Sequence, residues 1–228
     1  LSGHGTLTRK DVGTLTGLSK PTASSLLQRL EESGLVRLSG FGETGPGGRA
    51  PQLYRINPAA GYAAAVDVRP GRARVRIADI AGSVVMECVE ESDRAANGPE
   101  SAAAIVRSCC DRAGLSPAQL DAIVVSVPGS YDIATDTLSY VDHLPRWQHA
   151  SVGAELRMLF PDASVAIEND VNLAAIAERH AARGESESFF LFWLDDGVGG
   201  AIMIDGALHR GSRGAAGEAA FLLIPGAV

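Results

Sequence analysis

The sequence contains no run approaching the ~20 apolar residues of a membrane-spanning helix, and its first residues hold no apolar signal-peptide segment. Membrane and exported classes are therefore not expected. Cysteine is scarce: Cys88 and the adjacent pair Cys109 and Cys110 are the only three among 228 residues. Their spacing fits no metal site and chain neighbours seldom bridge each other, so a reducing cytoplasm is the expected setting. The adjacent pair reads as small core hydrophobes rather than a redox centre. A surplus of positive charge is also missing, with a net charge of −7 and a pI near 5.2. Spread evenly, that balance would argue against nucleic acid.

The charge is not spread evenly. Residues 1–60 carry seven Lys/Arg against four Asp/Glu, net +3, whereas residues 61–228 carry 13 against 23, net −10. Affinity for nucleic acid depends on the local field of the docking face, so the asymmetry outweighs the sum. With 46% hydrophobic and 21% charged residues, a globular chain of more than one domain is expected.

The basic end has a recognisable pattern. Residues 8–30 read as two short helices joined at Gly17, the second entered through Ser19 as N-cap with Pro21 tolerated in its first turn. Val12 and Leu15 share a helical face, Ala23, Leu26, Leu27 and Leu30 form a second stripe, and Leu18 fills the corner, giving an expected core. The start of the second helix presents Ser19, Lys20, Thr22, Ser24 and Ser25, donors without a carboxylate, as a helix end entering the major groove requires. Leu35–Leu38 and Gln52–Ile56 read as strands around a Gly/Pro-rich stretch, residues 40–51, that carries Arg49. The whole is a winged helix-turn-helix over residues 1–58, with Ser19, Lys20, Thr22, Ser24 and Arg49 as candidate DNA contacts. A pair of hairpins used only for packing is the blander reading. The chain opens too close to this motif to hold its usual first helix and closes just after a strand-like run, so it is expected to be part of a longer protein.

From Gly61 onward strands and helices alternate. Strands are expected at Ala63–Val68, Arg74–Ala78, Val84–Val89, Ala122–Val127, Ser164–Ile167, Phe189–Leu194 and Gly200–Ile204. Helices are expected near Pro99–Arg112, Ser151–Leu159 and Asn172–Ala182. This is an α/β chain with mixed sheets.

Its motifs come in a telling order. Pro128-Gly129, Leu144-Pro145-Arg146-Trp147, Glu168-Asn169-Asp170-Val171-Asn172, Asp196-Gly197-Val198-Gly199-Gly200-Ala201, Gly206 to Gly211 and Gly214-Ala215-Ala216-Gly217-Glu218 resemble the ROK family in order and approximate spacing. That family comprises bacterial sugar kinases and sugar-responsive repressors. The resemblance implies an actin-like ATPase (ribonuclease H-like) fold over residues 61–228, preceded in the repressors by a winged helix-turn-helix. It also implies a sugar site, for which Gly129, His143, Asn169, Asp170 and Glu218 are the candidates. Asp170 matches the family's general base toward a primary hydroxyl; the alternative is a cap on a helix beginning at Val171 or Asn172. Glu218 matches a sugar contact, or is a solvated loop residue. His143 stands where the family often has Asn, as a ligand contact or a packed or solvated residue.

Departures from the kinase pattern bear on activity. The family's kinases follow the first strand with Asp-x-Gly-Gly-Thr, whose backbone N–H groups wrap phosphate. Here Arg69 and Pro70 replace the paired glycines after Asp67, and acidic Asp195 and Asp196 open the second glycine loop. Phe221 takes the place of a histidine that serves as a zinc ligand in the family. The expectation is a non-enzymatic, cytoplasmic repressor that binds operator DNA as a homodimer or tetramer, takes a sugar effector, and needs no cofactor and no metal. A sugar kinase with an appended DNA-binding head and a DNA-binding protein with a vestigial sugar site are the alternatives.

Overall fold

The computed structural model describes residues 5–43, 48, 50–91, 98–141, 143–148, 151–182, 186–194 and 197–218. The chain divides into two compact units, one comprising the chain up to Ala63 with Ala78–Val85, the other Ala64–Ile77 with the chain from Met86 onward.

In the first unit a two-residue strand β1 (Leu7–Thr8) runs directly into α1 (Arg9–Thr16). The Thr8 hydroxyl accepts from the Asp11 N–H at 3.2 Å while the Asp11 carboxylate accepts from the Thr8 N–H at 2.8 Å. This reciprocal pair fixes where the helix starts. α1 ends at Gly17, and α2 (Lys20–Glu32) begins two residues later with the Ser19 hydroxyl accepting from the Thr22 N–H and Pro21 in the first turn. Strands β2 (Val36–Phe41) and β3 (Gln52–Ile56) follow, and the sheet order β1-β3-β2 is antiparallel with an irregularity between Leu38 and Gly40.

The core of this unit is Leu7, Val12, Ala23, Leu27, Val36 and Tyr54, with Leu30 packed against it. Three expected members are outside it: Leu15 is 55% exposed, Leu18 37%, and Leu26 is half-buried. The reason is geometric. Three residues of helix turn 300°, so Leu15 lies about 60° around α1 from Val12, beyond the flank that faces α2. Leu7, Val36 and Tyr54 supply the apolar surface instead, and Arg9 donates to the Tyr54 hydroxyl at 2.6 Å across its ring.

The second unit contains most of a five-stranded sheet. β4 (Tyr62–Arg69), β5 (Arg72–Asp79) and β6 (Val84–Glu91) lead to α3 (Pro99–Ala113), and after it come β7 (Leu120–Val127), a short hairpin β8 (Ser130–Asp132) and β9 (Thr137–Ser139), α4 (Val152–Leu159) and β10 (Ser164–Asn169). The order is β10-β7-β4-β5-β6, with β10 parallel to β7. Alternate residues, among them Val66, Val68, Val75, Ile77, Ile123, Val125 and Val127, are buried. The Cys109 thiol on α3 donates to the Val75 carbonyl at 3.9 Å, which places α3 over that face. Burial pushes the Cys109 thiol up to about 12, so it stays a packed, unreactive thiol at neutral pH. β5 and β6 are joined by a turn at Asp79, whose carboxylate accepts from the N–H groups of Ala81 and Ser83.

β10 passes without a loop into α5 (Asp170–Ala181), two residues before the expected start. β11 (Phe189–Leu194), β12 (Val198–Ile204) and β13 (Ala207–Leu208) form a separate antiparallel sheet. Its inner side buries Ala201 and Met203 against Val171 and Ala175 of α5, with Phe189, Leu191 and Trp193 alongside. Among the described residues no helix is long and apolar enough to cross a membrane.

Candidate functional site

The junction between β10 and α5 gathers the polar residues of the second unit. Asn169, the last residue of β10, is buried and caps α5: its side-chain oxygen accepts from the Asn172 N–H at 3.0 Å. Its amide donates to the Gly129 carbonyl at 3.0 Å, tying the end of β10 to the end of β7. Gly129 must be glycine for this approach, since a Cβ there would collide with Val141 and stand 2.7 Å from the Ser139 carbonyl oxygen. The cap is thus Asn169, and Asp170 is the first residue of the helix rather than the residue before it. This frees the Asp170 carboxylate from the capping role that was its alternative reading. One of its oxygens accepts from the Val171 N–H at 2.9 Å, and the other lies 3.5 Å from the Arg69 guanidinium.

Glu168, one residue earlier, is bound up by its neighbours. Arg210 reaches one of its oxygens with both Nε and Nη2 at 2.7 Å, and Asn172 and the Asn169 N–H donate to the other at 2.8 and 3.1 Å. Arg69, at the end of β4, spans two carboxylates, with Nε 3.4 Å from Asp67 and Nη2 3.5 Å from Asp170. Glu218 completes the group. It follows Gly217, whose left-handed φ of 97° and close approach to the Gly200 carbonyl exclude any side chain there. Asp170 and Glu218 are close enough that the Asp170 charge raises the Glu218 pKa.

Both carboxyls are held above their ordinary values. Burial is the main cause for each; at Asp170 the Arg69 charge and the Val171 N–H oppose it, while Asp67 adds to it. In the window between the ordinary and the raised values the folded chain holds more protons than the unfolded one, so stability falls as pH rises through it. Thermal melts across pH 4–7 should show this fall, and it should diminish in Asp170→Asn. An unchanged profile in that variant would remove the assignment.

His143 is exposed, just before the short 3-10 turn Pro145–Trp147, whose Trp147 is fully buried. In the first unit Ser19, Lys20 and Thr22 are exposed at the start of α2 and Ser24 is half-buried. Ser19 shares a hydroxyl hydrogen bond with Thr22 at 2.8 Å, so its side chain serves the helix start. Arg49, Asp195, Asp196 and Phe221 lie outside the described residues. Sequence reasoning missed Arg210 and Glu168 as a pair and Arg69 as the partner of Asp170; 42 and 101 positions separate them, and no local signal joins them. A cleft of about 190 Å³ lined by Glu90, Ser101, Ala104, Ile105 and Ser108 shares none of these residues.

This arrangement combines the carboxyls of Asp170 and Glu218, a glycine-built backbone approach and a helix N-terminus on an α/β scaffold. Residues 66–225 match the ROK family, and the chain belongs to that family; its fold is the family's sugar-kinase-like, actin-like architecture with a winged helix-turn-helix in front. Residues 1–49 match the MarR family. The xylose repressor of Bacillus subtilis is 26% identical over 223 residues, covering 96% of this chain and 56% of that protein. A solved ROK family transcriptional regulator, a homologue of the E. coli Mlc protein, superposes with a TM-score of 0.64 at 17% identity over 93% of this chain and 54% of that one. The ROK hexokinase of Thermus thermophilus gives 0.59 at 25% identity over 72% and 54%. The chain spans about half the length of the curated relatives it matches.

Proposed function

We propose that this chain is a sugar-responsive transcriptional repressor of the cytoplasm that binds operator DNA through α2 and the wing as a homodimer or tetramer. The observation that carries the reading is a winged helix-turn-helix in one chain with a ROK region whose Asp170 is not the cap of α5. The effector acts by linkage: it shifts DNA affinity only as far as it binds the DNA-competent and incompetent arrangements differently. Gly129, Asn169, Asp170 and Glu218 hold the sugar; Asn169 does so chiefly by shaping the junction. His143 is a rim contact. Two heads about one helical turn apart, ~34 Å, read two half-sites.

At the head, Lys20 and Arg49 are assigned to phosphates and Ser19, Thr22 and Ser24 to the groove. Lys20→Ala and Arg49→Ala should each weaken operator binding without unfolding the chain and reduce the slope of log affinity against log salt by about one. Filter binding across a salt series checks this. Unchanged affinity and slope in both variants would remove the assignment.

We further propose that the chain is not a kinase. Phosphoryl transfer relies on holding and neutralising the phosphates. Pro70 has no N–H to offer them, and Arg69 is engaged by Asp67 and Asp170. Asp170 favours the opposite reading, since it is the family's base. Coupled ADP release with magnesium, ATP and a panel of hexoses and pentoses separates the two: turnover that vanishes in Asp170→Ala would make the kinase reading correct.

A further inference from the structure

Arg69 sits beside the half-buried carboxylate of Asp170. Near Asp170 stand Asp67 from β4 and Glu218 from the loop after β13, while Glu168 at the end of β10 is taken by Arg210. The Arg69 guanidinium touches Asp170 and Asp67 at 3.5 and 3.4 Å from a side chain only one-third exposed. It is the cation of the described residues that meets Asp170 directly.

We propose that Arg69 is a positioning and specificity-determining residue of this site: its guanidinium holds the Asp170 carboxylate ionised and oriented as an acceptor for the hydroxyls of a neutral sugar. This rests on the sugar-effector reading above. The geometry favours a neutral polyol over a phosphorylated one. Among the described residues Asp67 and Asp170 share the one guanidinium of Arg69 while Glu168 is matched by Arg210, so the balance of these pairs is negative and a phosphate would be repelled. A hydroxyl needs only an ionised acceptor with lone pairs left over, and on Asp170 the Val171 N–H takes one oxygen while the other faces Arg69 at 3.5 Å, leaving acceptor capacity on the carboxylate. The guanidinium also reaches Asp67, so it is braced from its own strand and does not follow the ligand.

The sign of the pH effect is determined by that contact. Without Arg69, burial and Asp67 push Asp170 toward protonation, and a protonated carboxyl loses one acceptor and gains a donor. The titration midpoint of Asp170 should therefore rise in Arg69→Ala, by about one pH unit or more, and return toward wild type in Arg69→Lys.

The experiment reads the Asp170 carboxyl directly by ¹³C NMR over pH 3–8 in the ligand-free whole protein. It does so in wild type, Arg69→Ala and Arg69→Lys, each in a Glu218→Gln background so that one of the two coupled acids is silent. Wild type, Arg69→Ala and Arg69→Lys with Glu218 intact are titrated calorimetrically with xylose, glucose and glucose 6-phosphate at pH 5, 6, 7 and 8. The expected result is a raised midpoint in Arg69→Ala, with neutral-sugar affinity reduced at pH 6 and recovering by pH 8, and no preference for the phosphorylated sugar in wild type. An unmoved midpoint overturns the proposal even where sugar binds. Affinity lowered equally at every pH overturns it too, as a merely structural effect. Wild-type protein that prefers glucose 6-phosphate overturns the neutral-sugar specificity. A moved midpoint in a protein that binds no sugar overturns the effector reading and with it the specificity role.

Discussion

Asp170→Ala is expected to abolish the response to sugar while leaving operator affinity within about threefold of wild type. The reasons lie at the β10–α5 junction. Asn169 caps the helix and Asp170 does not, so the helix start survives the substitution. The cost to α5 is the favourable interaction of one carboxylate with the helix N-terminus, about 0.3–1 kcal/mol. The cost to the ligand is larger. Each hydroxyl left without its acceptor in a buried site costs on the order of 1–3 kcal/mol, and two such losses weaken binding by about a hundredfold or more. Asp170→Asn keeps one acceptor and should be milder. Asn169→Ala should behave differently: it removes both the cap and the tether to Gly129, and should lower stability as well as sugar affinity. Release of Asp170→Ala from DNA at the wild-type sugar concentration would show that this carboxylate is not a ligand contact.

Leu27→Ala is expected to do the reverse, removing DNA binding and sparing the sugar site. Leu27 is fully buried among Leu7, Val12, Ala23, Val36 and Tyr54, the core of the first unit. Truncating a fully buried leucine costs about 2–5 kcal/mol, the higher figures applying where the cavity cannot close. A core of six residues has little else to draw on. Hydrogen exchange should show the protected amides of α2 and β3 opening early, with those of β7 and β10 unchanged, and operator affinity should fall at least tenfold. Leu15→Ala is the control. Leu15 is more than half exposed, and the same truncation there should cost less than about 1 kcal/mol. Equal losses in the two variants would contradict the observed core.

Sequence pattern revealed most of the strands because their alternation is local. Phe189–Leu194 and Gln52–Ile56 have the bounds that their apolar spacing predicts. The helix starts were harder. Glu168, Asn169 and Asp170 are three polar residues in a row, and which of them is the last extended one depends on where Asn169 finds the Gly129 carbonyl, 40 residues away. At α4 the neighbouring Ser151 looks like the cap, yet it makes no side-chain cap bond. Asp136 accepts instead from the N–H groups of Gly153 and Ala154 at 2.6 and 2.9 Å. The pairs Arg69–Asp170 and Arg210–Glu168 were invisible for the same reason: they are made by topology, which brings the ends of β4 and β10 and the segment after β13 together. Local pattern carries local structure, and charge pairing across the sheet requires the fold.

The most direct test of the account is fluorescence anisotropy of an operator duplex, selected from a random pool by the whole protein, titrated with xylose and a panel of other sugars. No nucleotide is present. The account predicts that at least one neutral sugar lowers operator affinity tenfold or more in wild type, without ATP, and has no effect in Asp170→Ala. Operator affinity that no sugar alters, or that changes only when ATP is added, would contradict it.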